Sequence, residues 1–145
     1  MAKVAAAEQV FTQFRKMIAA LVLFNDQAAR STGMSASESQ FLHLLQLHGP
    51  LSPSDLSRLS GLTSGTVTGV LDRLEELGFA RRERHPSDRR KIVVTVDEAR
   101  LATELGPYYE GQGEALAGVL DQLSSSELRA VSKFLTLLIP QDPPG

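Results

Sequence analysis

Along most of this chain the apolar residues recur at three- and four-residue steps, and they alternate in only one short stretch. Between residues 6 and 29, Val10, Phe11, Phe14, Met17, Ile18, Leu21, Val22 and Phe24 make a helical stripe. It is too wide for a helix covered on a single side, so partners on more than one side are expected. A helix shared between two subunits meets that requirement, as does a fully buried helix in a monomer. Ser35-Ala36-Ser37-Glu38 reads as a capping box opening a helix with Phe41, Leu42, Leu44, Leu45 and Leu47, which Gly49-Pro50 stops. Ser52-Pro53-Ser54-Asp55 then supplies an N-cap, a proline at the first helical position and an acid suited to the positive helix end. Leu51 and Leu56 flank that cap as a staple, and the short helix ends at Gly61.

The next helix repeats the plan, with Thr63 as cap and Leu62 and Val67 as staple. Val67, Val70, Leu71, Leu74 and Leu77 form its buried face, and Gly78 closes it. Two short capped helices joined by a Gly-Leu-Thr turn make a helix-turn-helix. The one alternating stretch follows. Phe79–Arg84 and Lys91–Val96 are predicted to pair as a hairpin, with Ile92, Val94 and Val96 pointing inward and residues 85–90, His-Pro-Ser-Asp-Arg-Arg, forming a wing loop. Asp97 can cap a long helix carrying Leu101, Leu105, Tyr108, Ala115, Leu116, Val119, Leu120 and Leu123, which Gly106-Pro107 must kink or break. Ser124-Ser125-Ser126-Glu127 is a further capping box before Leu128, Val131, Phe134, Leu135 and Leu138. The expected fold is mainly α with a small β-hairpin wing. It comprises a winged helix-turn-helix lobe at residues 35–97, a helical lobe from residues 1–34 and 98–139, and a disordered tail at 140–145.

Composition narrows the possibilities. At 145 residues the chain amounts to one domain, or two small lobes sharing a core. The absence of cysteine excludes a disulfide framework, a thiolate metal site and a thiol redox switch. The longest apolar run, Met17 to Phe24, falls far short of the ~20 residues a membrane span needs, and Glu8, Arg15 and Lys16 interrupt any signal-like core. A cytoplasmic protein with no membrane partner is expected. His43 and His48 are five apart and so lie on different helix faces, which spoils a two-histidine metal site. No phosphate-binding loop or hydrolase motif occurs. Neither an enzyme nor a bound metal or cofactor is expected.

A net charge of -2 argues against a polyanionic partner, but charge is not evenly spread. Residues 80–91 carry Arg81, Arg82, Arg84, Arg89, Arg90 and Lys91 against only Glu83 and Asp88, a local +4. It is the local field that governs a binding face, although an Arg-rich hairpin could also be merely a solvated surface. The preceding helix decides the matter. Its outer face carries Gly65 and Gly69, each costing roughly 1 kcal/mol in helix propensity, as if it must lie close against something large. Ser64, Thr66 and Thr68 lie in its first turns, where hydroxyls reach phosphates or base edges. Arg73 further along suits a phosphate or a guanine, with an i,i+3 pair to Glu76 as the rival reading. These features predict a second helix that enters a DNA major groove beside a basic wing containing Arg84, Arg89, Arg90 and Lys91.

The order of helix, helix, short helix, recognition helix, wing, long helix and final helix resembles the MarR family of bacterial transcription regulators over nearly the whole chain. The stretch from Thr63 to Val96 carries the resemblance, above all Asp88-Arg89-Arg90, which matches the family's Asp-x-Arg wing motif. The resemblance implies a homodimer whose first and last two helices form the dimerisation lobe. It also implies a small-molecule pocket between that lobe and the DNA-binding lobe, with ligand usually weakening DNA binding. Arg90 then looks like the wing-tip residue that enters a narrow minor groove. Asp88 cannot sensibly face phosphate, and holds the wing by pairing with a neighbouring arginine or capping the turn. Phe24, His43, Leu47, Tyr108 and Tyr109 are the expected pocket residues, though a histidine on a mostly apolar helix is also a common structural hydrogen-bonding group. The peroxide-sensing branch of the family works through cysteine, which this chain lacks. The expected function is that of a repressor on a pseudo-palindromic double-stranded operator, released by a small-molecule effector. The alternative is a winged-helix protein-interaction module without ligand sensing.

Overall fold

A computed structural model describes residues 1–140, which form seven helices and one two-stranded hairpin. Helix α1 (Ala2–Ser31) is about 45 Å long at 1.5 Å per residue, yet only Ala28 and Ala29 are buried. Helix α2 (Ala36–His48) begins with the predicted reciprocal cap. The Glu38 amide donates to Ser35 Oγ at 3.3 Å, and the Ser35 amide donates to Glu38 Oε2 at 2.8 Å. Helix α3 (Pro53–Ser60) has the same device with aspartate in place of glutamate. The Asp55 amide donates to Ser52 Oγ at 3.0 Å and the Ser52 amide to Asp55 Oδ2 at 3.3 Å. The Ser52 hydrogen bond holds the Asp55 carboxyl below its ordinary pKa.

Helix α4 (Ser64–Glu76) is capped by Thr63, whose hydroxyl accepts the Thr66 amide at 3.3 Å. Gly78, at φ +78°, turns the chain into strand β1 (Ala80–Arg84), which pairs antiparallel with β2 (Ile92–Val96) so that Arg82 lies opposite Val94. Leu51 adds a bridge on the far side of Val94, with amide-to-carbonyl bonds of 3.3 and 2.7 Å. It therefore serves the hairpin as well as the α3 cap. Both strands start one residue later than expected, and the inward row is shorter. Val94 is fully buried and Val96 partly, but Ile92 is 48% exposed because the distal end of the hairpin extends past the helices that would cover it.

The core is built from Phe41, Leu42 and Leu45 of α2, Leu56 of α3, Val67, Leu71 and Leu74 of α4, then Phe79 and Val94. It also draws in Ala29, Met34, Leu101 and Leu105 from outside residues 35–97. Helix α5 (Glu98–Glu104) is capped by Asp97, and the expected break falls at Leu105, before Pro107 in helix α6 (Gly106–Leu120). Helix α7 (Ser125–Leu138) starts at the Ser124–Glu127 capping box. Neither α6 nor α7 has a buried residue, and large apolar side chains are exposed along α1, α6 and α7. No described helix is long and apolar enough to cross a membrane. The expected tail at 140–145 lies, from residue 141 onward, outside the described residues.

Candidate DNA-binding surface

The apolar side of α4 is locked into the core, so its other side is presented outward. Ser64, Gly65, Thr66, Thr68 and Gly69 are all exposed on it. A Cβ added at Gly65 or Gly69 would meet nothing within 4 Å, so neither glycine answers a packing demand inside this chain. The hydroxyls are oriented locally. Thr66 Oγ1 lies 3.0 Å from Thr63 Oγ1, and Thr68 Oγ1 donates to the Ser64 carbonyl at 3.0 Å, which leaves its lone pairs free to accept.

The open space around Gly69 gives a clear expectation. Gly69→Ala should raise the melting temperature slightly, since alanine is the better helix former by roughly 1 kcal/mol. If this face meets DNA, the same methyl should weaken binding by standing in the contact. Thermal melting with a DNA titration checks both signs, and a mutant that melts earlier would contradict the free space seen here.

Arg73 takes up the rival reading. Its Nη1 is 3.0 Å from Glu76 Oε2 and its Nε 3.7 Å from Glu38 Oε1, tying α4 to the start of α2. In the sequence Arg82 adds only positive charge to the hairpin, but its guanidinium turns back onto α4 to reach Asp72, Glu75 and the Thr68 carbonyl. Arg81 pairs with Glu83. Arg84, Arg89 and Lys91 are exposed, and among the described residues they have no carboxylate partner.

The wing is held from within. Asp88 Oδ1 accepts the Arg90 amide at 3.1 Å and lies 3.5 Å from Arg90 Nε, while the Arg90 side chain remains 94% exposed. His85, unremarked as a functional residue in the sequence, organises the turn, its Nδ1 accepting the amides of Ser87 and Asp88 at 3.0 and 3.2 Å. A side-chain acceptor followed by Pro-Ser-Asp was the available signal.

A second cluster sits where α1, α2 and α6 meet. The Tyr109 hydroxyl and His43 Nε2 are 2.9 Å apart, and Phe24 packs edge-on against the Tyr109 ring at 5.9 Å. Burial lowers the His43 pKa, favouring the neutral imidazole, and raises that of Tyr109 against the opposing hydrogen bond from Ser39. His43 lines a cavity of about 220 Å³ between α1 and α2 and another of about 330 Å³ between α2 and the α5–α6 junction. Phe24, Leu47 and Tyr108, also expected here, line neither cavity, although Phe24 packs on Tyr109. Leu47 is 80% exposed one turn beyond His43, and Tyr108 sits about 100° around α6 from Tyr109, so the two tyrosines cannot both face α2. Among the described residues no cluster of metal-ligating side chains occurs.

A capped helix-turn-helix whose second helix is flanked by a basic hairpin defines a winged helix-turn-helix protein. The MarR family model matches residues 34–92, from the approach to α2 through the first residue of β2. The chain is 37% identical over 122 residues to the HTH-type transcriptional regulator YcgE of Bacillus subtilis, covering 84% of this chain and 79% of that one. To the HTH-type transcriptional repressor YetL of Bacillus subtilis it is 32% identical over 107 residues, covering 71% and 64%. Its fold is shared with the crystal structure of Streptococcus pneumoniae FabT in complex with DNA, at a TM-score of 0.66 and 22% identity over 91% and 92% of the two chains. The chain belongs to the MarR family of transcription regulators.

Proposed function

We propose that the protein is a cytoplasmic homodimeric repressor that binds a pseudo-palindromic double-stranded operator and lets go when a small molecule enters beside His43. One observation carries the DNA reading: an unobstructed row of hydroxyls and glycines on α4 stands next to unpaired wing cations. In this reading Ser64, Thr66 and Thr68 meet base edges and phosphates, and Gly65 and Gly69 allow the close approach. Arg84, Arg89 and Lys91 neutralise phosphates, Arg90 enters the minor groove, and Asp88 holds the wing turn. Arg73 is reassigned from DNA contact to the link between α2 and α4. The name of the YetL relative and the DNA in the FabT structure agree with this reading.

Surface area supports the dimer. The chain exposes 10443 Å², against roughly 7,300 Å² for a compact monomer of this mass. The excess is on the order of 3,000 Å², and the uncovered apolar residues of α1, α6 and α7 are where a second copy would bury it. Two-fold symmetry then sets operator half-sites about 10 bp apart. Release has a physical route. Helix α2 carries His43 at the cavities and Glu38 beside Arg73, so a ligand that separates His43 from Tyr109 displaces the element to which α4 is tied.

Fragments selected from the organism's own genome, titrated across salt concentrations, test the reading. A steep salt dependence is expected, and indifference to DNA of any sequence would leave a protein-interaction module instead. Arg90→Ala should weaken binding to every sequence and make the salt slope shallower by roughly 1.8, one cationic contact being lost from each subunit of the dimer. Unchanged affinity at ordinary salt would remove the wing from the interface.

A further inference from the structure

We infer that Arg82 is a positioning residue for operator recognition, a clamp that sets the wing against the recognition helix without touching DNA itself. The inference rests on the DNA-binding reading above and adds to it a residue that faces the protein. Arg82 differs from the other cations of the hairpin. Its side chain is only 28% exposed, and among the described residues its ion pairs and hydrogen bonds run to α4. Nη2 donates to Asp72 Oδ1 and, at 3.2 Å, to the Thr68 carbonyl. Nε lies 3.8 Å from Glu75 Oε1, the same oxygen that accepts the Arg82 amide at 2.9 Å. These contacts span seven to fourteen residues of sequence, so they join two separate elements.

Two consequences follow. Asp72 and Glu75 would otherwise be two uncompensated carboxylates on a helix aimed at a polyanion, and the guanidinium set between them cancels one of those two charges. The contact to the Thr68 carbonyl grips the backbone of one of the hydroxyl residues on the outer face, while the Arg82 peptide belongs to the strand that leads to Arg84 and the wing. A single planar fork thus fixes the distance between what would enter the major groove and what would enter the minor groove. Lysine has the charge but only a point donor, so it neutralises without holding two places together. Neighbouring Arg81, paired with Glu83 on its own strand, cannot substitute.

The test compares Arg82→Met and Arg82→Lys with the parent, using the selected operator and a scrambled duplex of equal length. Arg82→Met should weaken operator binding by about tenfold while the salt slope stays as in the parent, because no phosphate contact is lost. The preference for operator over scrambled duplex should fall, and Asp72→Asn, expected to weaken binding when made alone, should restore part of the affinity in the Arg82→Met background by removing the uncompensated carboxylate. Arg82→Lys should recover part of the affinity and little of the preference. Without DNA, amide exchange in residues 80–84 should speed up in both variants. A salt slope lowered by roughly 1.8, one contact from each subunit, with the preference intact would make Arg82 an ordinary phosphate contact and overturn the clamp. So would unchanged affinity, or exchange rates equal to the parent's. If Arg82→Met does not fold, Arg82→Lys carries the same discriminating readouts. Should the parent itself ignore DNA, the regulator reading fails on that measurement, while amide exchange still decides whether Arg82 holds the hairpin to α4.

Discussion

Replacing Phe134 with aspartate is expected to yield a folded monomer that no longer holds its operator. Phe134 packs edge-on against Phe14 at a centroid distance of 6.1 Å, joining α7 to α1, yet it remains 39% exposed. Around it, Val10, Phe11, Phe14 and Leu138 line an apolar groove of about 590 Å³ with little polar surface. A second copy seated there would put the new carboxylate into a dry interface without a partner, a burial that costs several kcal/mol. The core that joins α2, α3, α4 and the hairpin to the end of α1 and to α5 takes no residue from α7, so the winged lobe should stay folded. A single wing and helix then face DNA without the gain from engaging two half-sites together, which is a loss on the order of 10²–10⁴ in apparent affinity. Sedimentation at micromolar concentration with an operator titration checks this, and circular dichroism confirms the fold. A variant that sediments as a dimer would place the subunit contact elsewhere.

Phe41→Ala should be the most destabilising single truncation in the winged lobe. Phe41 is completely buried and is one of the largest side chains in the shared core. Removing its ring leaves a cavity in that core, at a cost of about 3–5 kcal/mol. That is a large share of the roughly 5–15 kcal/mol by which domains of this size are stable. Leu47→Ala, on the same helix but 80% exposed, should stay within about 0.5 kcal/mol. Urea denaturation of the two variants side by side makes the comparison. Equal midpoints would show that α2 does not organise this core.

Local chemistry made much of the architecture legible in the residues alone. Capping boxes at Ser35 and Ser124, the Thr63 cap, the glycine stops and the Pro107 break are decided by groups within four residues of one another, so the chain order suffices to find them. The apolar face of α4 was legible for the same reason, since a 3.6-residue period commits Val67, Val70, Leu71 and Leu74 to one side and leaves Gly65 and Gly69 on the other. The Asp88–Arg90 contact spans two residues and was equally readable.

What lay beyond reach were choices between partners far apart in sequence. Six basic residues near the wing are equivalent as charge in the sequence, but only folding brings Asp72 and Glu75 to Arg82, and Glu38 to Arg73, and leaves Arg84, Arg89 and Lys91 without a carboxylate partner among the described residues. Tyr108 and Tyr109 were equal candidates until the rotation of α6 turned Tyr109 toward His43, sixty-six residues away. Ile92 alternated correctly with Val94, yet the strand outran the core that would have buried it. Periodicity says which side of an element is apolar. Only the packing of elements against one another says how far along that side the cover extends, and which of several like charges finds an opposite one.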